Sequence, residues 1–336
     1  MAERWSPDHL RLHQLLLRRS ALLPAGSTLL LAVSGGQDSM ALLALLQDLR
    51  RLHHWRLELW HGDHGWRPES AQQAAELATW TGEQGLAIQV ERWQTPQPSE
   101  AAARQWRYER LVERAQTLGA SRVVTGHTGS DRAETVLLQL ARGSHRRGAC
   151  GPRALRPLST DPEPSLQLAR PLLPFSRGDT ARICQERNLP LWLDASNDEP
   201  VHGRNRIRLD VLPVLEALHP GASRRLSAWS ERLEEEADAV IELTDLALRS
   251  LERPDPPPTG GLDRPALLAL APANARLLLQ AWLERQGVRG VGARQLDTLL
   301  QRLAPGQPPG QMTMSGGRNL LWQRRRLWLA SQPQLP

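Results

Sequence analysis

The stretch LLLAVSGGQDSMALLALL, residues 29–46, places two glycines and several small polar residues between two apolar segments. The first segment, residues 29–33, is a short continuous apolar run, which predicts a buried strand of a parallel sheet. The second segment, residues 40–49, consists mostly of helix-forming residues. Between them, the glycines allow a tight turn whose backbone N–H groups lie at a helix N-terminus, where an anion is stabilised. The stretch therefore predicts a phosphate-binding loop between a strand and a helix.

Two common phosphate-binding loops do not fit this turn. The chain contains no lysine, which excludes a Walker A loop, and no Gly-x-Gly-x-x-Gly follows the strand. The remaining pattern, Ser-Gly-Gly-x-Asp-Ser, resembles the pyrophosphate loop (PP-loop) of the N-type ATP pyrophosphatases, which adenylate a substrate and release pyrophosphate. The candidate nucleotide-binding residues of the loop are Ser34, Gly35, Gly36, Gln37, Asp38 and Ser39.

The length and the order of sequence patterns predict the domain organisation. A chain of 336 residues is long for one domain, and about two are expected. Strand-like and helical segments alternate up to about residue 210, the chain is mostly helical from Leu212 onward, and Pro254–Gly261 has the composition of a linker. We therefore expect a doubly wound parallel α/β domain at residues 1–211, followed by a smaller, mainly helical and α+β domain at residues 212–336.

The composition indicates the kind of partner. The formal net charge is +6 and the sequence pI is about 10.7, which favours a polyanion such as nucleic acid, although GC-rich coding would also produce many arginines. Cys150 and Cys184 form no C-x-x-C pair, which argues against a metal ribbon or a cysteine-held cluster. No apolar run reaches the roughly 18 residues that a membrane span requires. We therefore expect a cytoplasmic protein without a membrane partner; its oligomeric state stays open, a homodimer included.

Ligands of open parallel sheets bind at the carboxyl ends of the strands, so the residues after each expected strand are candidates for the site. After the second strand, residues 57–60, His61, Asp63 and His64 offer metal-ligating side chains. The same residues suit a turn that leads into a helix capped by Ser70. For this motif by itself we favour the structural interpretation.

The helix expected after the third strand carries basic residues. Ser99 is a candidate N-cap, and the spacing places Arg104, Arg107 and Tyr108 on one helix face. A surface ion pair between Glu100 and Arg104 is the alternative, and such pairs contribute only about 0.3–0.5 kcal/mol. In a chain without lysine, two arginines beside a phosphate loop are suited to neutralising a triphosphate.

A pair of acids follows the fourth expected strand, residues 121–125. Asp131 and Glu134 lie three residues apart at a helix N-terminus, so their carboxylates face the same way. Complementing the helix dipole, a contribution of about 0.3–1 kcal/mol, would explain the acids but not the Gly-His-Thr directly before them. The same helix is expected to direct three leucines to the core: Leu137, Leu138 and Leu140.

The last informative stretch, residues 192–208, ends in a basic cluster before an apolar helix. Such a cluster suits a phosphate or an RNA backbone, and the alternative is a solvated helix start. Its residues are Arg204, Asn205, Arg206 and Arg208.

Taken together and in order, these motifs resemble one family, the bacterial tRNA(Ile)-lysidine synthetases, over about residues 26–215. The motifs are SGGQDS, HGDHGWRPES, SEAAARQWRY, GHTGSDRAETVLLQLARG, RPLL at Arg170–Leu173, and DASN followed by RNRIR. The C-terminal stretches GVGARQLDTLLQRL and GQMTMSGGRNLLWQRRRLWLAS resemble the smaller tRNA-binding region of that family less specifically.

The resemblance implies a reaction and a set of roles. Such enzymes use ATP to adenylate C2 of the wobble cytidine in an isoleucine tRNA with a CAU anticodon, and the ε-amine of free L-lysine then displaces AMP. The implied catalytic residues are Asp38, Arg104, Asp131 and Glu134. The ATP contacts would be the loop residues with His64, Arg107 and His127, and the tRNA contacts Arg204, Arg206 and Arg208. Mg²⁺ would bind at Asp38.

The chain departs from the family pattern at Ser130. Members commonly have two adjacent acids where this chain has Ser130 and Asp131, so one candidate ligand of lysine or of a metal is missing. We expect Asp131 to suffice.

Other functions remain open on the sequence. The absence of a C-x-x-C pair argues against a thiolase-type tRNA modifier, and amidating relatives would need a source of ammonia and lack a long basic second domain. A tRNA-binding protein without catalytic activity would bind tRNA with a steep salt dependence but would not exchange pyrophosphate into ATP.

Overall fold

The computed structural model describes residues 5–97, 99–144, 146–158, 166–192, 203–253, 261–288, 290–315 and 317–331. The DASN motif and nearly all of the expected linker, residues 254–260, lie outside these residues. The chain divides into two compact units, Met1–Glu234 and Glu235–Pro336. The functional division expected between residues 211 and 212 stays a prediction.

The first unit contains the expected doubly wound α/β sheet. Its strands are β1 (Thr28–Ala32), β2 (Arg56–Asp63), β3 (Ile88–Arg92), β4 (Arg122–Val124), β5 (Leu155–Pro157) and β6 (Gln167–Ala169). The strand order is β3-β2-β1-β4-β6-β5, and every pairing is parallel except that of β5 with β6. The prediction of the fold class is confirmed. In this order the ends of β1 and β4 are adjacent, which brings the two motif-bearing turns together.

Helices flank this sheet and continue after it. They are α1 (Pro7–Arg18), α2 (Gln37–His53), α3 (Ser70–Glu83), α4 (Glu100–Leu118), α5 (Gly129–Ala141), α6 (Arg146–Ala149), α7 (Arg177–Glu186), α8 (Gly203–Arg206), a π-helical turn (Ile207–Val211) and α9 (Leu212–Leu218). Helix α2 is buried continuously from Ser39 to Leu46, which explains why its sequence shows no polar face. Strand β1 buries Leu29, Leu30 and Leu31 completely.

Two local predictions about helices are wrong. Helix α3 begins at Ser70 rather than after it, and the Ser70 hydroxyl donates to the carbonyl of Arg67 at 2.9 Å instead of capping the helix. In α5, Leu140 is 47% exposed, and the buried stripe runs through Arg132, Ala133 and Val136. Because residues spaced by three and four share a helix face, burial of this stripe leaves the leucines on its flank. The N-cap prediction for Ser99 is confirmed, since its hydroxyl accepts from the N–H of Ala102.

The second unit combines an antiparallel sheet with helices. Helix α10 (Ala222–Leu251) spans the division between the units, and the elements after it are β7 (Glu252–Arg253), β8 (Gly261–Asp263), α11 (Arg264–Leu268), α12 (Pro272–Arg285), α13 (Ala293–Leu303), β9 (Gly310–Met314), β10 (Arg318–Trp322) and β11 (Arg326–Ser331). The strand order is β7-β8-β11-β10-β9. The second unit has its own hydrophobic core, which includes Leu279, Trp282, Leu299 and Leu320. Within the described residues of the chain, no helix is both long and apolar enough to cross a bilayer.

A buried arginine connects the elements of the second unit. Arg264 is 4% exposed and lies at the start of α11. Its guanidinium donates to four backbone carbonyls, those of Leu303 at 2.8 Å, Gln323 at 2.9 Å, Ala304 at 3.0 Å and Gln307 at 3.2 Å. It thereby supplies donors to carbonyls at the end of α13 and in the turn before β11.

The substitution Arg264→Met is expected to destabilise the protein by about 3 kcal/mol, because several buried carbonyls lose a side-chain donor at once. Thermal unfolding would measure the change. Arg276→Met is a matched control, since Arg276 is half-exposed and pairs with Asp297 at the surface, where an ion pair contributes at most about 1 kcal/mol. Equal melting temperatures for the two variants would contradict the role given to Arg264.

Candidate active site

Hydrogen bonds of its own hydroxyl groups stabilise the turn after β1. The N–H of Ser34 donates to the Ser39 hydroxyl at 3.2 Å, and the Ser39 hydroxyl donates to the carbonyl of Gly36 at 2.8 Å. Gly35 has φ +81°, a conformation that favours glycine. Gly36 is the N-cap of α2 and has no side chain to cap it. The loop therefore presents a helix N-terminus to an anion, as the sequence predicts.

Helix α7, to which no role was assigned from the sequence, holds the acid of this loop. The Thr180 hydroxyl donates to the carboxylate of Asp38. The Gln37 amide donates to the Thr180 hydroxyl at 2.8 Å and to the carbonyl of Arg177 at 2.7 Å. Burial raises the pKa of Asp38 to about 6, although the hydrogen bond from Thr180 opposes the rise. The only sequence signal for this contact is the capping box at the start of α7, Ser176 with Asp179.

The carboxylate of Asp38 is suited to bind Mg²⁺. Mg²⁺ in nucleotide sites commonly takes one or two carboxylates together with phosphate oxygens and water. A nearby cation would also relieve the cost of ionising the Asp38 carboxyl, whose pKa is raised by burial and by the charge of Asp131. The residues present therefore fit the metal that the sequence predicts.

The N-terminus of α5 meets both the loop and α7. A Cβ atom placed on Gly126, just before α5, would lie 2.7 Å from the carbonyl oxygen of Asp38. The N–H of Gly129 donates to the carbonyl of Phe175 at 2.7 Å, and the Ser130 hydroxyl accepts from the N–H of Arg177 at 3.1 Å. Close backbone packing thus brings the start of α5 against the phosphate loop.

Ser130 occupies a capping position rather than a place among the acids. The substitution Ser130→Ala is expected to cost about 1 kcal/mol of stability, because the first N–H of α7, on Arg177, loses its acceptor. Ser130→Asp keeps an acceptor there and is expected to retain the stability. Thermal unfolding of both variants tests this, and a wild-type melting temperature for Ser130→Ala would contradict it.

Asp131 and Glu134 lie side by side and share one arginine. Arg204 Nη2 lies 2.7 Å from Asp131 Oδ1, and Arg204 Nε lies 2.8 Å from Glu134 Oε2. The side chains of the acids are 20% and 3% exposed, and that of Arg204 is 37% exposed. Asp131 also accepts from the N–H and hydroxyl of Thr128, at 2.7 and 2.9 Å. The structure therefore brings the predicted acid pair together, with a cation between the carboxylates.

The pKa values of the two acids are shifted in opposite directions. Burial would raise the pKa of Asp131, but His127, Arg204 and the hydrogen bonds from Thr128 outweigh it and lower that pKa. For Glu134, burial outweighs the charge of Arg204, and its pKa is raised. Neighbouring groups whose pKa values are pushed apart are suited to different tasks. Asp131 is therefore the more acidic group of the pair, and Glu134 is the more basic.

His127 lies between β4 and α5, near Asp131. Burial lowers its pKa, and the charges of Arg170, Arg204 and Arg104 act in the same direction against that of Asp131. Its Nδ1 lies 2.9 Å from the Thr125 hydroxyl.

The structure separates the basic residues expected to act together on α4. The Arg104 guanidinium lies over the Tyr108 ring, 5.0 Å from its centroid. Arg107 instead approaches His64, with Nη2 3.2 Å from Nε2. The His64 ring in turn stacks on Trp66 at 5.4 Å between centroids. A shared helix face therefore does not imply a shared ligand, because long side chains turn to different neighbours.

The other residues of the predicted motifs have local contacts. His61 donates from Nδ1 to the carbonyl of Val33 at 2.8 Å, and Asp63 accepts from the N–H of Gly65 at 2.8 Å. In the basic cluster, Arg206 is exposed and pairs with Asp210 at 3.2 Å. It lies on α8 with Arg204, but only Arg204 reaches the two acids.

Comparisons with known proteins identify both parts of the chain. Residues 9–215 match the family of the PP-loop domain, and residues 262–328 match that of the TilS substrate binding domain. The chain is 52% identical to the tRNA(Ile)-lysidine synthase of Parasynechococcus marenigrum (strain WH8102), over 98% of this chain and 96% of that protein. It is 40% identical to a tRNA(Ile)-lysidine synthase of Prochlorococcus marinus, over 97% of this chain and 96% of that protein.

A solved structure supports the fold. The U34-tRNA thiolase NcsA from Methanococcus maripaludis, solved with its [4Fe-4S] cluster, is similar with a TM-score of 0.58 and 16% sequence identity, over 68% of this chain and 77% of that chain. At this identity the likeness shows the PP-loop fold alone, whereas the full-length relatives and the two matched domains show the family. The chain belongs to the tRNA(Ile)-lysidine synthases.

Proposed function

We propose that this chain ligates free L-lysine to C2 of the wobble cytidine in the CAU anticodon of an isoleucine tRNA, consuming ATP and forming lysidine. The single observation that carries the assignment of the site is the acid pair Asp131 and Glu134, whose helix starts directly against the phosphate loop through Gly126. Such an arrangement suits a reaction that joins a cationic amine to a phosphate-activated centre.

The first step is adenylation of the cytidine. The C2 carbonyl oxygen attacks the α-phosphorus of ATP and a new O–P bond forms. The bond from the α-phosphorus to pyrophosphate breaks, and negative charge develops on the leaving pyrophosphate. The backbone N–H groups of residues 34–39, with Arg104 and Arg107, stabilise this charge. Asp38 would hold Mg²⁺, which when bound neutralises phosphate charge. His64 and His127 are proposed to contact the nucleotide.

The second step replaces AMP by lysine. Free lysine carries an ε-ammonium with a pKa of about 10.4, so the site must first bind this cation and then remove a proton. Asp131, the more acidic of the two acids, binds the ammonium in competition with Arg204. Glu134 accepts the proton. Its pKa is raised by burial, and a carboxylate with a higher pKa is a stronger base. The free amine then attacks C2, the C–N bond forms, and AMP leaves with the C2 oxygen.

Arginines near the acids are proposed to hold the tRNA. Arg204, Arg206 and Arg208 supply positive charge on and after α8, which suits the phosphates of an anticodon loop. Arg204 would then have two alternative partners, the acid pair and the RNA. A homodimer stays a prediction, which sedimentation of the full chain would test.

Incorporation of labelled lysine tests the proposed function. The enzyme is incubated with ATP, Mg²⁺ and labelled L-lysine, and with either an isoleucine tRNA carrying a CAU anticodon or a methionine tRNA. Label is expected in the isoleucine tRNA only. If neither tRNA is labelled while tRNA-dependent release of pyrophosphate continues, another nucleophile is used and the proposed reaction is wrong.

A further inference from the structure

Three arginines converge on the only tyrosine of the chain. The guanidinium carbons of Arg104 and Arg156 lie 5.0 and 5.1 Å from the centroid of the Tyr108 ring. Arg170 interacts with the same phenol from the end of strand β6. We call Arg104, Tyr108, Arg156 and Arg170 the arginine–tyrosine cluster. Three cations meet here around one neutral ring.

Nothing in the described part of the chain balances this charge. None of the three arginines forms an ion pair with a described residue; the side-chain hydrogen bonds of Arg156 and Arg170 include those to the carbonyls of Pro157 at 3.2 Å and Arg153 at 2.6 Å. Arg170 is 2% exposed, and its Nε has no hydrogen-bond partner among the described residues. Burial of a charge without a counter-charge is costly. The cluster therefore lacks an anion.

Two other buried arginines in the described part of the chain have their hydrogen-bonding groups paired. Arg132 is also 2% exposed, but it pairs with Glu234 and donates twice to the carbonyl of Pro152. Arg264 is 4% exposed and donates to four carbonyls. Among these three described arginines, Arg170 alone has neither a carboxylate nor a full set of carbonyls.

Electrostatics at the phenol agree with an excess of positive charge. Burial would raise the pKa of Tyr108, but the charges of Arg104 and Arg170 and a hydrogen bond from Arg156 lower it. Burial and the charges of Arg156 and Arg104 lower the pKa of Arg170 to about 10, against the effect of Tyr108. Both shifts mean that an added negative group would be stabilised here.

The cluster joins α4, which carries Arg104 and Tyr108, to the strand pair β5 and β6. Arg170 directly follows β6, and β6 pairs with β4, whose end leads to His127. The sheet order places β4 and β6 between β1 and β5. With neighbouring strands about 4.8 Å apart, the strand of Arg156 is about 14 Å from β1. Arg156 therefore lies on the strand of this sheet that is furthest from β1 on that side.

We propose that the arginine–tyrosine cluster binds a phosphate group, and that this group belongs to the RNA backbone close to the wobble nucleotide. The inference rests on the proposed function, because that function supplies an RNA beside the acid pair. A phosphate of ATP has the same chemistry and is the other source to be distinguished. Two guanidiniums fixed against a ring are pre-organised for phosphate oxygens.

The test compares substitutions of Arg156 by equilibrium binding. The affinities of the full chain for ATP and for an isoleucine tRNA transcript with a CAU anticodon are measured at several salt concentrations. Arg156→Gln is expected to weaken tRNA binding about tenfold and to reduce the slope of log K against log salt by about one. Arg156→Lys keeps the charge and is expected to restore the slope. Arg110→Gln, on α4, is the control, since Arg110 pairs with Glu113.

The outcomes distinguish an RNA phosphate from a phosphate of ATP, and the phosphate site from the proposed function. A lower salt slope for tRNA with unchanged ATP affinity supports the RNA backbone, and weaker ATP binding with an unchanged slope assigns the cluster to ATP. If Arg156→Gln matches Arg110→Gln in both measurements, the proposed phosphate site is wrong. Lysine incorporation by the wild-type enzyme is measured in parallel, so that failure of this site is distinguished from failure of the proposed function.

Discussion

The substitution Asp131→Asn is expected to lower the rate of lysidine formation at least about 100-fold, while tRNA-dependent release of pyrophosphate continues. The amide cannot bind an ammonium as an anion does, and loss of a positioned acid or base commonly costs about 10²- to 10⁴-fold. Arg204 loses one of its two carboxylate partners, so Glu134 is also held less firmly. The measurement is pyrophosphate release and lysine incorporation on the same tRNA.

The structure offers a control that separates an effect on the helix cap of α5 from an effect on the proposed lysine site. Asp131 caps α5 by accepting from the N–H and hydroxyl of Thr128, and Asp179 caps α7 in the same way, with 2.8 and 2.9 Å contacts to Ser176. Asp179→Asn therefore makes the same change at an equivalent cap without touching the acid pair, and lysine incorporation is expected to persist. If the two variants lose incorporation equally, the loss at Asp131 comes from the cap and the proposed lysine site is wrong.

The substitution Gly126→Ala is expected to reduce tRNA-dependent release of pyrophosphate at least about 100-fold. The added Cβ would lie 2.7 Å from the carbonyl oxygen of Asp38, 2.8 Å from its carbonyl carbon and 2.9 Å from the Ser39 nitrogen. Because these are backbone atoms, the phosphate loop itself must move, and a displacement of about 1 Å in a site can cost about 10²-fold in rate.

Gly82→Ala is the control for a glycine substitution, because a Cβ at Gly82 has no atom within 4 Å. This variant is expected to react at the wild-type rate. ATP affinity and thermal unfolding of Gly126→Ala would separate a moved loop from a lost fold. A folded Gly126→Ala enzyme that releases pyrophosphate at the wild-type rate would show that the loop tolerates the displacement.

The sheet and its phosphate loop were predictable because their signals are local. A continuous apolar run is typical of a strand buried on both faces, and the glycines with a following helix specify the turn. The search for site residues directly after each strand rests on the general rule that ligands bind at the carboxyl ends of parallel strands. The capping predictions were less uniform: Ser99 caps its helix, whereas Ser70 does not, since a hydroxyl near a helix start has several acceptors within reach.

The acid pair was predictable as a pair, but not its electrostatics. A spacing of three residues determines that Asp131 and Glu134 share a face. It does not determine which acid is buried more deeply, nor that Arg204, 70 residues after Glu134, lies between them. The same limit applies on α4, where Arg104 and Arg107 share a face but contact different partners.

By itself, the sequence determined the strand, loop and helix of the phosphate site and the order of its motifs, because hydrophobic pattern, glycine and caps act within a few residues. Only the tertiary structure decided that Thr180 binds Asp38, that Gly126 packs on the loop, and that Arg156 and Arg170 gather around Tyr108. Those contacts join distant parts of the chain. Their energies depend on burial and on neighbouring charge, which exist only once the sheet has formed.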